Sequence, residues 1–72
     1  MTTIAVAINE TDTYTVHVGD DNEVMYSAPG RRVRESVILR EINGDTAVID
    51  RPMMGAPSEV EEVSVFRLAG SF

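Results

Sequence analysis

The chain has no cysteine and no lysine, and a single histidine among its 72 residues. Without cysteine there is neither a disulfide staple nor thiolate chemistry. A zinc site would rest on that one histidine and carboxylates, a poor donor set for an ion that prefers nitrogen and sulfur. No apolar run approaches the roughly 18 residues of a membrane-spanning helix, so no membrane association is expected. The opening MTTIAVAINE has neither the basic region nor the apolar length of a signal peptide. The expected location is the cytoplasm at synthesis, with a virion as a further destination. Asn9-Glu10-Thr11 matches the glycosylation pattern, but it has no secretory signal to bring it into use.

Positive charge is also scarce. Six arginines stand against twelve acids, for a formal net charge of −6. Proteins that hold nucleic acid by its phosphates need a basic footprint, so direct nucleic-acid binding is not expected. The few arginines are clustered. Residues 1–29 hold five acids and no arginine, residues 30–51 hold five arginines and four acids, and residues 52–72 hold three acids and one arginine.

Catalytic constellations are missing too. None of the serines lies in a nucleophile-elbow pattern. His17 falls on the outward parity of a strand beside Thr15, where a solvated side chain is the simpler reading than a general base. Gly19-Asp20-Asp21-Asn22-Glu23 lacks the twelve-residue calcium-loop spacing and reads as a polar turn. Glu59, Glu61 and Glu62 read as a charged strand edge that discourages edge-to-edge association, and a chain this short leaves little room for the cleft that paired carboxylates would need. The expectation is a protein that is not an enzyme and uses no cofactor or metal.

The residues that are present point to short strands. Ile4, Val6 and Ile8 alternate with Ala5 and Ala7. Tyr14, Val16 and Val18 alternate with Thr13, Thr15 and His17, and this period of two marks half-buried strands. With Val24–Ser27 they predict a three-stranded meander in the first half. Ala28-Pro29-Gly30 interrupts it. In RRVRESVILREI the apolar residues scatter around a helical wheel instead of forming a stripe, which favours a strand centred on Val37-Ile38-Leu39; the alternative is an α+β chain with one helix over about 28–42. Asn43-Gly44 is a hairpin signal, and with those two as the central residues Ile42 would pair with Asp45, Leu39 with Val48 and Ile38 with Ile49. Thr46–Arg51 returns, and a last strand lies within Glu59–Leu68, starting near Glu61 or Glu62, with Val63 and Val65 on the core side and Phe66 and Leu68 opposite. No internal repeat is present. The expected fold is all-β, a small SH3-like barrel or compact β-sandwich of five to six short antiparallel strands in one domain.

Three features suggest contact with a partner. Pro52-Met53-Met54-Gly55-Ala56-Pro57 places two of the four methionines in one proline-flanked loop. An adaptable apolar side chain in a stiffened loop suits either a core plug or an interface anchor. Arg31, Arg32 and Arg34 form a compact basic patch in an acidic protein, suited to carboxylates. Phe72 puts a large aromatic at the end of the chain. The expected partner-binding residues are therefore Met53, Met54, Arg31, Arg32, Arg34 and Phe72. The expected function is a structural or assembly protein that packs against copies of itself or a larger assembly, for example a capsid-decorating or tail-associated accessory subunit of a virus or phage. Two alternatives are an acidic inhibitor that mimics nucleic acid with the carboxylates of residues 10–23 and 59–62, and a barrel-type regulatory or chaperone module.

Overall fold

A computed structural model describes residues 2–71. The elements are β1 (Thr2–Ala7), β2 (Thr13–Val18), β3 (Glu23–Tyr26), β4 (Glu35–Asn43), β5 (Thr46–Arg51), β6 (Glu59–Ser64) and β7 (Gly70–Ser71), with single 3₁₀ turns at Asp20–Asn22 and Val65–Arg67. They build two antiparallel sheets, β1-β2-β7 and β3-β4-β5-β6. Residues 28–42 contain no helix. Neither sheet closes into a barrel, and a seventh, two-residue strand joins those expected. Among the described residues no helix is long and apolar enough to cross a membrane.

The inward residues follow the alternation. Tyr14, Val16 and Val18 of β2 are buried against Val24 and Tyr26 of β3, Val37 and Leu39 of β4, Ala47 and Ile49 of β5, and Val63. The first half is not a meander, however. β2 pairs with β1 and β7, whereas β3 pairs with β4 in the other sheet. The chain changes sheets at Asp20–Asn22, where Asp21 and Asn22 adopt left-handed backbone (φ 56° and 60°). Asp and Asn are among the few residues with a side chain that tolerate this conformation.

The central hairpin is also in a different register. Asn43 pairs with Thr46 and Ile42 with Ala47, so Gly44 and Asp45 are the turn residues. Gly44 takes φ 61° at the first central position, where a two-residue hairpin of the II′ kind calls for glycine. In this register a regular strand would point Leu39 and Ile42 to opposite faces, because they are three residues apart. A bulge between Leu39 and Glu41 leaves Arg40 unpaired and restores Leu39 opposite Ile49. One extra residue thus turns both apolar side chains toward the core.

β6 begins at Glu59, earlier than the expected start near Glu61 or Glu62, because Glu59 and Val60 already pair with Arg51 and Asp50, and it ends at Ser64, earlier than the alternation alone predicts. Ser64 accepts a hydrogen bond from the Phe66 N–H, and the next three residues form a 3₁₀ turn. Residues three apart eclipse in such a turn, so Val65 and Leu68 are buried together and Phe66 points elsewhere, half-exposed. Its ring meets Tyr14 edge-on at 5.2 Å. The turn delivers β7 to β2. Tyr14 donates its hydroxyl to the Leu68 carbonyl at 2.7 Å, and Gly70 lies so close to β2 that a Cβ there would stand 2.2 Å from the Thr15 carbonyl oxygen.

Candidate protein-docking end

Antiparallel pairing brings the end of β3, the start of β4, the end of β5 and the start of β6 to one end of the four-stranded sheet. Two loops project there. In the first, Ala28–Arg31 closes a turn with the Arg31 N–H donating to the Ala28 carbonyl at 3.1 Å. Pro29 and Gly30 (φ 77°) hold its central positions, the pairing a type II turn favours. The chain then runs exposed through Arg31, Arg32, Val33 and Arg34 before entering β4. None of these three arginines makes an ion pair among the described residues.

In the second loop the Ala56 N–H donates to the Met53 carbonyl at 3.4 Å, with Gly55 left-handed (φ 75°) at the third position. Met54 is consequently the tip of a turn and is fully exposed, at 104 %. Met53 is 42 % exposed. Neither methionine plugs the end of the core.

That end is closed by Arg51 instead. Its Nε and Nη2 donate to Glu35 Oε1 at 3.1 and 2.8 Å. Its Nη2 also lies 3.0 Å from Glu61 Oε2, and the guanidinium stands 5.9 Å from the centroid of the Tyr26 ring. The hydrogen bonds to Glu35 chiefly, with the charges of Glu35 and Glu61, hold the Arg51 pKa above its ordinary value, against a smaller opposing effect of desolvation. Glu61 is therefore tied into a local network and does not act as part of a free acidic run. The other ion pair, Arg40 to Asp50 at 2.6 Å, joins β4 to β5.

The two docking features predicted separately from the sequence share one end of the molecule. Arg67 joins them there, because the Ser27 N–H donates to its carbonyl at 2.8 Å. Arg34 and Arg67 line a cleft of about 240 Å³ with Ser27, Tyr14 and Phe66. Acids gather toward the opposite end of the same sheet, where Asp20, Asp21 and Glu23 lead into β3, and Glu41 and Asp45 lie in and after the last part of β4. Phe72, expected to dock, lies outside the described residues. His17 is exposed on β2, as its parity implies.

Sequence reasoning missed Val33, 80 % exposed between arginines, having weighed it only as one of the scattered apolar residues of RRVRESVILREI. Its signal was available, since an apolar residue flanked by three arginines directly after a Pro-Gly turn does not belong to a core pattern. It missed Arg51 as well, whose position as the last inward-parity residue of β5 offered only a faint cue. Comparison with protein-family models, with curated proteins and with solved structures found nothing that matches this chain.

Proposed function

We infer that the chain is a non-enzymatic binding module that takes part in a protein assembly, docking through the end that carries Met53, Met54, Val33 and Arg31, Arg32 and Arg34. The observation that carries this reading is the full exposure of Met54 at the tip of a turn held by Gly55 and flanked by Pro52 and Pro57. A stiff loop that already presents its apolar side chain loses little entropy on docking. The arginines around it suit a partner with an apolar patch rimmed by carboxylates. A second copy offering its Asp20–Glu23 end has that chemistry, as does a larger particle, and a capsid-decorating or tail-associated subunit is one form such an assembly would take. The strand count and size suit a partly open SH3-like barrel or a compact sandwich, and neither fold dictates a function. The reading as an inhibitor mimicking nucleic acid draws less support, because Glu61 is held by Arg51 and the exposed acids share no single stripe with Glu59.

Light scattering at low and high salt tests the proposal. The expected result is an assembly larger than two chains that persists at high salt and shrinks when Met53→Asp and Met54→Asp are combined. Replacing Arg31, Arg32 and Arg34 by Ser is expected to weaken association at low salt only. An assembly indifferent to all five substitutions would rule this end out as the docking surface.

A further inference from the structure

The four-stranded sheet guards its edges. β6 carries Glu59, Glu61 and Glu62, charges of the kind that keep a strand edge from pairing with another chain. β3 is covered along its free side by the 67–69 segment, with Ser27 N–H donating to Arg67 O and Ala69 N–H to Met25 O. In the other sheet β7 is only two residues long. The remaining edge is β1, at the end of the β1-β2-β7 order. From Thr2 to Ile8 it has no charge and no proline.

The direction of its backbone groups follows from its neighbours. The His17 N–H donates to Ala69 O at 2.9 Å, toward β7, and the Ile8 N–H donates to Asp12 O at 3.1 Å. Hydrogen-bonded and non-bonded pairs alternate along an antiparallel ladder. With Ile4 opposite Val16 and Val6 opposite Tyr14, Ile4 and Val6 turn their N–H and C=O groups to β2. Thr3, Ala5 and Ala7 turn theirs to the free edge, and their side chains are small and exposed.

We propose that β1 pairs antiparallel with β1 of a second copy about a two-fold axis at Ala5, joining the two three-stranded sheets into one. In that register Ala5 faces Ala5 and Thr3 faces Ala7 through about six backbone hydrogen bonds. Ile4 faces Val6 on the core side, and Thr2 faces Ile8, which is otherwise 38 % exposed. Every pair is free of charge, and the sequence around Ala5 is self-complementary by face, as an isologous contact requires. A cleft of about 310 Å³, lined by Ile4 on β1, by Asn22, and by Leu39, Arg40, Glu41 and Ile42 on β4, opens beside this edge. A chain of net charge −6 repels its own copy, so a strand edge lacking acids is where self-pairing costs least, and added salt strengthens it by screening the remainder. This pairing is independent of the methionine loop.

Light scattering of the combined Met53→Asp and Met54→Asp variant, which lacks the loop contact, supplies the test over a concentration series from about micromolar to hundreds of micromolar. The expected result is a two-chain species that tightens with salt. Ala5→Pro removes an N–H that serves no bond within the subunit, so the fold is kept and the central hydrogen bonds between copies are lost. Ala5→Lys sets two like charges across the axis and stands as the second variant should proline disturb β1. Added to that background, each is expected to raise the dissociation constant at least about tenfold with an unchanged circular dichroism spectrum. In that background a monomer at every concentration, a dimer unmoved by both Ala5 variants, or open-ended growth overturns the proposal.

Discussion

Replacing Met53 and Met54 together by Asp separates an interface loop from a core loop. Met54 is fully exposed and gives up no buried surface, while Met53 has a little over half of its surface covered. Complete burial of a Met side chain is worth about 1.5–3 kcal/mol, so the covered part of Met53 accounts for about 1 kcal/mol. A domain of 72 residues has a total stability of about 4–11 kcal/mol. The double variant should therefore remain folded, losing about 1–2 kcal/mol, and the two new carboxylates arrive at the end of the molecule that also carries Arg31, Arg32 and Arg34. Two core methionines would have cost about 2–5 kcal/mol each and unfolded the chain. Urea titration followed by circular dichroism reads the difference, with a shifted midpoint and an unchanged slope expected. A loss above about 3 kcal/mol, or a change of slope, would refute the placement of this loop and with it the docking end.

Ile49, fully buried on the central strand β5, should cost about 2–5 kcal/mol on replacement by Ala, while Val60→Ala, at a position 62 % exposed, should change the urea midpoint by less than about 0.5 kcal/mol. Arg51→Ala removes both hydrogen bonds to Glu35 and the only ion-pair partner among the described residues of Glu61 Oε2, which is buried and has no hydrogen-bond partner, and should destabilise by about 1–3 kcal/mol; Arg51→Lys should recover only part, having a charge but no two-donor fork. Because the Arg51 pKa is raised, the stabilisation from its charge is present in full below its ordinary pKa and is lost only in strong alkali. Urea midpoints should therefore show no Arg51 titration near neutral pH. Gly70→Ala, whose Cβ would meet the Thr15 carbonyl at 2.2 Å, should push β7 away from β2, and hydrogen exchange should then show faster loss of the His17 amide proton, which is bonded to Ala69 O.

Much of the local structure was legible in the chain itself. Alternation set which of Tyr14, Val16, Val18, Val63 and Val65 face inward, because strand side chains alternate whatever lies beyond them. Pro29-Gly30 and Gly44 marked turns through backbone conformations that few residues adopt. The absence of cysteine and lysine and the segregation of arginine were compositional facts that no fold could alter, and so was the uncharged run from Thr2 to Ile8.

Tertiary structure decided what depends on partners distant in the chain. Whether β3 joins β2 or β4 turns on the left-handed step at Asp21 and Asn22 and on which apolar faces meet, and neither is written in the period of either strand. The bulge at Arg40 exists because Leu39 and Ile42 must both reach the core that their paired neighbours Ile49 and Ala47 on β5 also face. Leu68 is buried beside Val65 only because β6 yields to a 3₁₀ turn after Ser64, and β7 exists only because Gly70 can approach Thr15. The arginine loop and the methionine loop, about 20 residues apart in the chain, share one end because β4 and β5 run antiparallel, and Arg51 closes that end because Glu35 and Glu61 arrive there from two neighbouring strands.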